Sequence, residues 1–526
     1  MSVLKAFPDR RGVLDIAGAG GKEHVLSAPG SRKSEGPHEQ AAAALEALHK
    51  TGTGWSALPV RERLKALGRL ETILAREADS VVLTLAHEIG RPITEGYAAE
   101  VIPTLAALRW LRRHASTSLL PKKCGGPFGR RRVDQVPYGV IGLVSPWNYP
   151  VYLTLTTIAW ALAAGNVVLW KPSEHARVSS SLMMELLEEA GLGQQVRALF
   201  GGPEYGAAVA DLPCDKTVFI GSLRAGRQVL ARVGRAGRPA VVELSGVDPM
   251  LVLADADISA AARSAVWARS LAAGQTCMAP RRVYVHASRQ AEFLRAAEAY
   301  LRSLRAGDPT CAGTEVGPLR SAADLSCALH AVEDAVRRGA RVICGGRAGS
   351  GSMPLLEPTL LTDCPDGCRL FREDIPGPIL AVASFQNLEE VIVRVHKLPQ
   401  MLTASVWSRD PQQGQLAAAR ISAGVVSVND VILPAAQADT AFGGIGSSGY
   451  GRLRGAEGLR EMVWTRTVFS APPPWRPDWH LFPHREGTAE VLRGSIRLLY
   501  STGTERGQAL REWMKAVGGL GKANRK

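Results

Sequence analysis

Between Tyr138 and Glu243, short apolar runs alternate with helical patterns, and no other feature of the chain restricts its fold as much. The runs at 140–144, 167–170, 197–200, 217–220 and 240–243 read as strands. Helical spacing fills the gaps at 151–164, 179–190, 205–210 and 224–233. Strands joined through helices form right-handed βαβ units and hence a parallel sheet, whose ligand crevice opens at the strands' carboxyl ends. Asn148, Lys171, Gly221 and Glu243 fall at those ends.

The flanking regions follow from the same reading. Segments 39–49, 60–85 and 98–114 show helical spacing with polar faces, so a helical layer opens the chain. A second alternating region over 247–428 predicts another α/β domain, with helices at 258–271 and 288–305 and strands near 282–286, 341–344, 378–384 and 402–407. The basic segment 122–132 carries the turn signal Gly125-Gly126-Pro127 and reads as the head of a β-hairpin. Residues 1–37 are polar and rich in Gly, Pro and Ser, the composition of a flexible arm. From 471 to 526 runs a tail that is Pro- and Trp-rich at first, then helical and basic. The most apolar stretch, 151–170, is long enough to span a membrane. Gly165-Asn166 divides it, however, and threonines stand at 154, 156 and 157, so a buried helix, a turn and a buried strand are expected.

Charge and cysteine usage narrow the function classes. The net charge of +14 suits acidic ligands, yet no basic stripe is interleaved with aromatics, so nucleic-acid binding is not expected. Eight cysteines, at 124, 214, 277, 311, 327, 344, 364 and 368, are scattered as in a reducing cytosol. Cys364 with Cys368 and His480 with His484 lack a second ligand pair at zinc spacing, so they read as loop thiols and surface imidazoles, with no metal. The N-terminus has no apolar core of a signal peptide, and a cytoplasmic location is expected.

Cys277, in the loop Gly274-Gln275-Thr276-Cys277 ahead of an apolar run, is the candidate nucleophile. Taken alone, such a cysteine is more often a buried structural thiol. Glu243 is a plausible general base, 34 positions earlier. Asn148, in Pro146-Trp147-Asn148-Tyr149-Pro150, could donate to a developing oxyanion or simply close an Asx-turn. In Trp170-Lys171-Pro172-Ser173-Glu174, Lys171 and Glu174 could hold ribose hydroxyls, the carboxylate favouring NAD over NADP; a solvated turn is the plain alternative. Gly221, Ser222 and Gly226 end a strand and open a helix, which lets a pyrophosphate approach a helix N-terminus.

Together these pieces resemble the aldehyde dehydrogenase superfamily, from about residue 40 to about residue 470. PWNYP (146–150), WKPSE (170–174), FIGS with a later Gly (219–226), VELSG (242–246), GQTCMAPRR (274–282), EDIPGP (373–378) and FGGIGSSGYGR (442–452) stand in family order. The resemblance implies an α/β subunit of three parts. A Rossmann-like cofactor domain would take 38–115 and 136–246, a catalytic α/β domain 247–447, and a small β oligomerisation element 116–135 with 448–470. It also implies roles: Cys277 as nucleophile, Asn148 with the Cys277 N–H as oxyanion hole, and Glu243 as the base for hydrolysis of a thioester. Lys171, Ser173, Glu174, Gly221, Ser222, Gly226, Asp374 and Trp147 would contact NAD or NADP, and Phe442 and Trp147 would line the substrate tunnel. A small aldehyde substrate and a homodimer or homotetramer are implied as well.

The chain departs from the family pattern at Ser245, Val247, Asp374, Pro376 and Leu453, the last standing where relatives often carry an acid of a proton relay. Two other readings follow from the resemblance and the tail. One is a CoA-acylating dehydrogenase, against which Glu243 argues. The other is a weakly active scaffold, or a membrane-associated member whose Trp475, Trp479, Phe482 and basic residues from Arg493 to Lys526 touch an anionic surface.

Overall fold

The computed structural model describes residues 36–126, 129–398, 400–470, 482 and 484–523. Most of the expected N-terminal arm, together with Pro127, Trp475, Trp479, His480 and Lys526, lies outside that set.

A six-stranded sheet forms the first body. Its strands lie in the order Gly449–Tyr450, Ala240–Leu244, Lys216–Gly221, Val140–Val144, Val167–Lys171 and Val196–Ala198. All neighbours are parallel except the short edge strand Gly449–Tyr450, which runs antiparallel and sets Gly449 opposite Glu243. Central strands buried on both faces need no polar alternation, which is why they read as unbroken apolar runs. The helix Tyr152–Ala164 is buried along its whole length and stops at Gly165, whose φ of 100° a side chain would oppose. The strand Val167–Lys171 follows, so the apolar stretch folds as the helix, turn and strand that its sequence suggested.

The opening layer contains Pro37–Ala57, Val60–Arg76, Ala78–Ile89 and Ile102–Ser118. The single helix expected over 60–85 is two, because Glu77 leaves helical geometry at φ −92° and ψ 13°. Both halves keep apolar faces against the same core, so their periodicity runs on across the break.

A seven-stranded sheet forms the second body, in the order Arg341–Cys344, Thr359–Thr362, Ile379–Phe385, Arg282–His286, Pro249–Val252, Thr403–Trp407 and Val425–Val428. Only its first pair is antiparallel. The strands Pro249–Val252, Thr359–Thr362 and Val425–Val428 add to those expected from sequence. A third sheet is antiparallel and joins the hairpin Lys122–Gly126 and Gly129–Pro137 to Val463–Ser470. Two helices, Thr488–Tyr500 and Gly503–Ala523, form a hairpin of their own, in which Trp513 donates to Ser495 at 2.7 Å. Among the described residues no helix is long and apolar enough to cross a membrane.

Candidate active site

The loop before Cys277 is held in an unusual backbone form. Ala272, Ala273 and Gly274 have φ of 52°, 51° and 76°, three consecutive residues in the left-handed region. Each such alanine costs about 1–3 kcal/mol, so surrounding bonds must impose the turn. They do: the Glu95 carboxylate accepts from Ala272 N at 2.9 and 3.1 Å, and Arg281 donates to the carbonyls of Gly274, Thr276 and Ile375 at 3.0–3.1 Å. Arg91 pairs with Glu95, donates to the Asn148 carbonyl and lies 4.4 Å from the centre of the Tyr149 ring. Tyr149 in turn shares a 2.7 Å hydrogen bond with Thr276. Gly274 has no alternative side chain, because a Cβ there would stand 1.9 Å from the Gly377 carbonyl oxygen.

This frame brings three of the expected residues together. Cys277 Sγ donates to Glu243 Oε1 at 3.8 Å, and Asn148 Nδ2 donates to the Gln275 carbonyl at 2.8 Å. Glu243 is almost fully buried and its Oε2 has no hydrogen-bond partner. Burial raises the Glu243 pKa above the ordinary carboxylate value, opposed by the positive charge of Arg454 and by the Cys277 hydrogen bond. Burial also pushes the Cys277 thiol well up, and the charge of Glu243 adds to that. The resting pair is therefore a neutral thiol donating to Glu243, with burial disfavouring the charged form of each.

Two cavities meet at this pair, and Leu153, Glu243, Thr276 and Cys277 line both. The first, about 510 Å³, opens at the carboxyl ends of the six-stranded sheet. Lys171, Ser173, Glu174, Gly221, Ser222 and Asp374 line it. Lys171 is buried and donates to Glu174 Oε2 at 2.6 Å. Ser222 caps the helix Leu223–Arg235, accepting from Ala225 N at 3.3 Å. Gly226 does not line the cavity but lets that helix approach the sheet, since a Cβ would meet Leu244 at 2.3 Å. Asp374 is drawn into an ion pair with buried Arg281. Trp147, expected in both cavities, lines the first only, where Arg320 sits 5.2 Å from its ring centre.

The second cavity, about 630 Å³, is walled mainly by apolar side chains, among them Phe442, Tyr149, Met278, Val266 and Ile432. Trp267 and Leu433, both largely exposed, stand at its outer end. Its inner end holds a residue with no place in the expected set, Arg454, beside Cys277 and Glu243. Cys364 and Cys368 lie far from this chemistry in sequence, in the loop between Thr359–Thr362 and Arg369–Arg372, and their thiols are buried in the second core. Among the described residues no cluster of His, Cys, Asp or Glu could hold a metal.

Comparison with known proteins agrees with this geometry. The model of the aldehyde dehydrogenase family matches residues 27–468. The 4,4'-diapolycopene aldehyde oxidase of Methylomonas sp is 32% identical over 455 residues, covering 85% of this chain and 84% of its own. A putative succinate-semialdehyde dehydrogenase [NADP(+)] of Mycobacterium ulcerans is 31% identical, over 84% of this chain and 87% of its own. The NAD+ complex of an aldehyde dehydrogenase from Bacillus cereus superposes with a TM-score of 0.79 at 27% identity, over 82% of this chain and 89% of that one. With its cysteine loop, its parallel nucleotide-type sheet and a match over most of its length, the chain belongs to the aldehyde dehydrogenase family.

Proposed function

We propose that this oxidoreductase converts an aldehyde to its carboxylic acid through covalent attachment to Cys277, with Glu243 as general base. The observation that carries the reading is the 3.8 Å contact between Sγ and Oε1 where the two cavities join. The cofactor is NAD(P), and the first cavity suits such a dinucleotide. The N-terminus of Leu223–Arg235 offers a positive dipole to a pyrophosphate, and Lys171 with Glu174 offers a donor and an acceptor to a ribose. The Glu174 charge disfavours a 2′-phosphate and so favours NAD. When bound, the nicotinamide supplies the hydride acceptor.

The steps assigned to the chain are these. Glu243 takes the thiol proton, and Sγ bonds to the aldehyde carbon while the carbonyl electron pair moves onto oxygen. Asn148 Nδ2, which keeps one N–H beyond its bond to Gln275, and the Cys277 N–H share that negative charge. Loss of hydride re-forms the carbonyl as a thioester. After releasing its first proton to solvent, Glu243 takes another from water, whose oxygen bonds to the acyl carbon as the C–S bond breaks. A base of this kind contributes about 10²–10⁴ in rate. Glu243→Gln should therefore still release one equivalent of NAD(P)H per site, more slowly because the thiol has lost its proton acceptor, and then turn over slower by about 10²–10⁴. Normal steady-state turnover in Glu243→Gln would refute the role. Transfer to CoA would need no water base, so faster NAD(P)H formation on adding CoA, with acyl-CoA accumulating, would favour the acylating reading. Turnover that vanishes in Cys277→Ala excludes a mere scaffold.

The substrate class follows from the apolar cavity, which suits an aldehyde with a long apolar chain; the relative named for 4,4'-diapolycopene aldehyde supports this. A homodimer or homotetramer would form through the edge strand Val463–Ser470, which exposes Trp464, Val468 and Phe469. We assign the enzyme to the cytoplasm, with its terminal hairpin resting on an anionic membrane surface. Leu492, Ile496 and Leu499 on one helix and Leu510 and Met514 on the other are all exposed. At 100° per residue each stripe lies along one face of its own helix. Arg493, Arg497, Arg511 and Lys515 flank them. Full-length protein should float with anionic vesicles and protein truncated after Ser470 should not; equal flotation would exclude the hairpin's role.

A further inference from the structure

Arg454 follows Leu453, the residue that replaces an acid of the family pattern. The backbones of Leu453 and Phe442 pair in both directions, at 2.7 and 2.8 Å, which buries the leucine side chain. Arg454 itself has φ 62° and ψ 175°, a conformation that a residue with a side chain adopts at a cost of about 1–3 kcal/mol. The result is a guanidinium only 4% exposed, 4.3 Å from the centre of the Phe442 ring and 5.2 Å from that of Tyr152. Nη1 donates to the Tyr152 hydroxyl and the Ala435 carbonyl. Nε and Nη2 are buried with no partner, as is Oε2 of Glu243, and both residues line the apolar cavity beside Cys277. Leaving such groups unpaired in an apolar wall is costly, and a water or ligand oxygen between them would relieve both.

We infer that Arg454 is a positioning residue for the hydrolytic half of the reaction: it places a positive charge in the wall that Glu243 shares, and its free N–H groups hold the water that Glu243 deprotonates. The inference rests on the function proposed above. The other charged groups around Glu243 are engaged elsewhere. Glu95 pairs with Arg91, Asp374 with Arg281, and Lys171 with Glu174. Asp248 accepts from Leu402 N and Thr403 Oγ1, each at 2.8 Å. Arg320 pairs with Asp324, Arg232 with Asp211 and Glu315 with Arg305, and His175 stands 4.0 Å from Glu174. Arg263 is exposed over Tyr300 at the outer end of the cavity, and Tyr450 is exposed on the strand beside Glu243. The positive charge of Arg454 is then the one that directly opposes the burial of Glu243.

The test uses the full-length enzyme with NAD+ and a long-chain alkanal. Arg454→Met should move the acid limb of the steady-state rate up by about one pH unit, a tenfold loss below the limb. Measured above the displaced limb, where Glu243 is ionised in both proteins, the burst of one NADH per site should survive. Hydroxylamine, which cleaves a thioester without a general base, should restore turnover. Arg454→Lys, which keeps the charge, should keep the wild-type limb, and its result stands even where Arg454→Met fails to fold. An unmoved limb in Arg454→Met, a burst that falls as much as the steady state, or a limb displaced in Arg454→Lys as far as in Arg454→Met would each overturn the inference. Wild-type protein that forms no NADH with any aldehyde would instead sink the proposed function, and this inference with it.

Discussion

The two cavities that meet at Cys277 are built in opposite ways. The side proposed for the dinucleotide presents charged and polar groups carried on strand ends and on the turns just after them: Lys171, Glu174, Ser222 and Glu243. The side proposed for the aldehyde is walled by apolar side chains from helices and loops far apart in the chain, with Trp267 and Leu433 at its mouth and Phe442 within. On the proposed function, two reactants of unlike polarity reach one sulfur from separate directions, and changes on one side should leave affinity on the other untouched.

The severest test concerns the frame that both sides share. In Gly274→Ala a Cβ must enter at 1.9 Å from the Gly377 carbonyl with φ at 76°. Unfolding in urea should show a loss of about 3 kcal/mol or more, with turnover falling for every aldehyde and for the cofactor alike. A loss confined to one reactant would mean that the loop does not position the joint. Next in size is Lys171→Ala, which removes a buried charged donor paired to Glu174 at 2.6 Å. Charge-assisted bonds of this kind are worth about 1.5–3 kcal/mol, so KM for NAD+ should rise roughly 10- to 100-fold while KM for the aldehyde stays constant. If both constants rise together, the two sides are not independent.

The same contrast explains what could be read from the sequence. Dinucleotide-side residues are local: Trp170 to Glu174 is one turn after one strand, and Phe219 to Gly226 is one strand end with its helix. The strand-helix rhythm therefore placed Asn148, Lys171, Gly221 and Glu243 together at the strands' carboxyl ends. Residues on the side proposed for the aldehyde come from around Pro92, Tyr149, Val266, Tyr300 and Ile432, and nothing in their spacing marks them as neighbours. Buried arginines were hidden for a related reason. Arg281 meets Asp374 from 93 positions away, and Arg91 reaches the Asn148 carbonyl across 57. An arginine in a sequence looks like a surface charge until the fold brings its partner. Trp147, which the resemblance implied for both reactants, lines the first cavity, with Arg320 over its ring.

The smallest effect gives the sharpest view of the aldehyde side. Trp267 is 47% exposed at the outer end of the apolar cavity, so a bound chain can cover only part of its ring. Full burial of a large apolar side chain is worth about 1.5–3 kcal/mol, and covering roughly half of one leaves about 1 kcal/mol. Trp267→Ala should then raise KM about fivefold for aldehydes whose chain reaches the mouth. Short aldehydes, held beside Cys277 and never touching the ring, should show no change, and neither should NAD+. A chain-length series of alkanals measured on both proteins reads this directly. A KM ratio that grows with chain length and then levels off marks the distance from sulfur to mouth; a ratio flat from the shortest alkanal onward would mean that the aldehyde enters by another route.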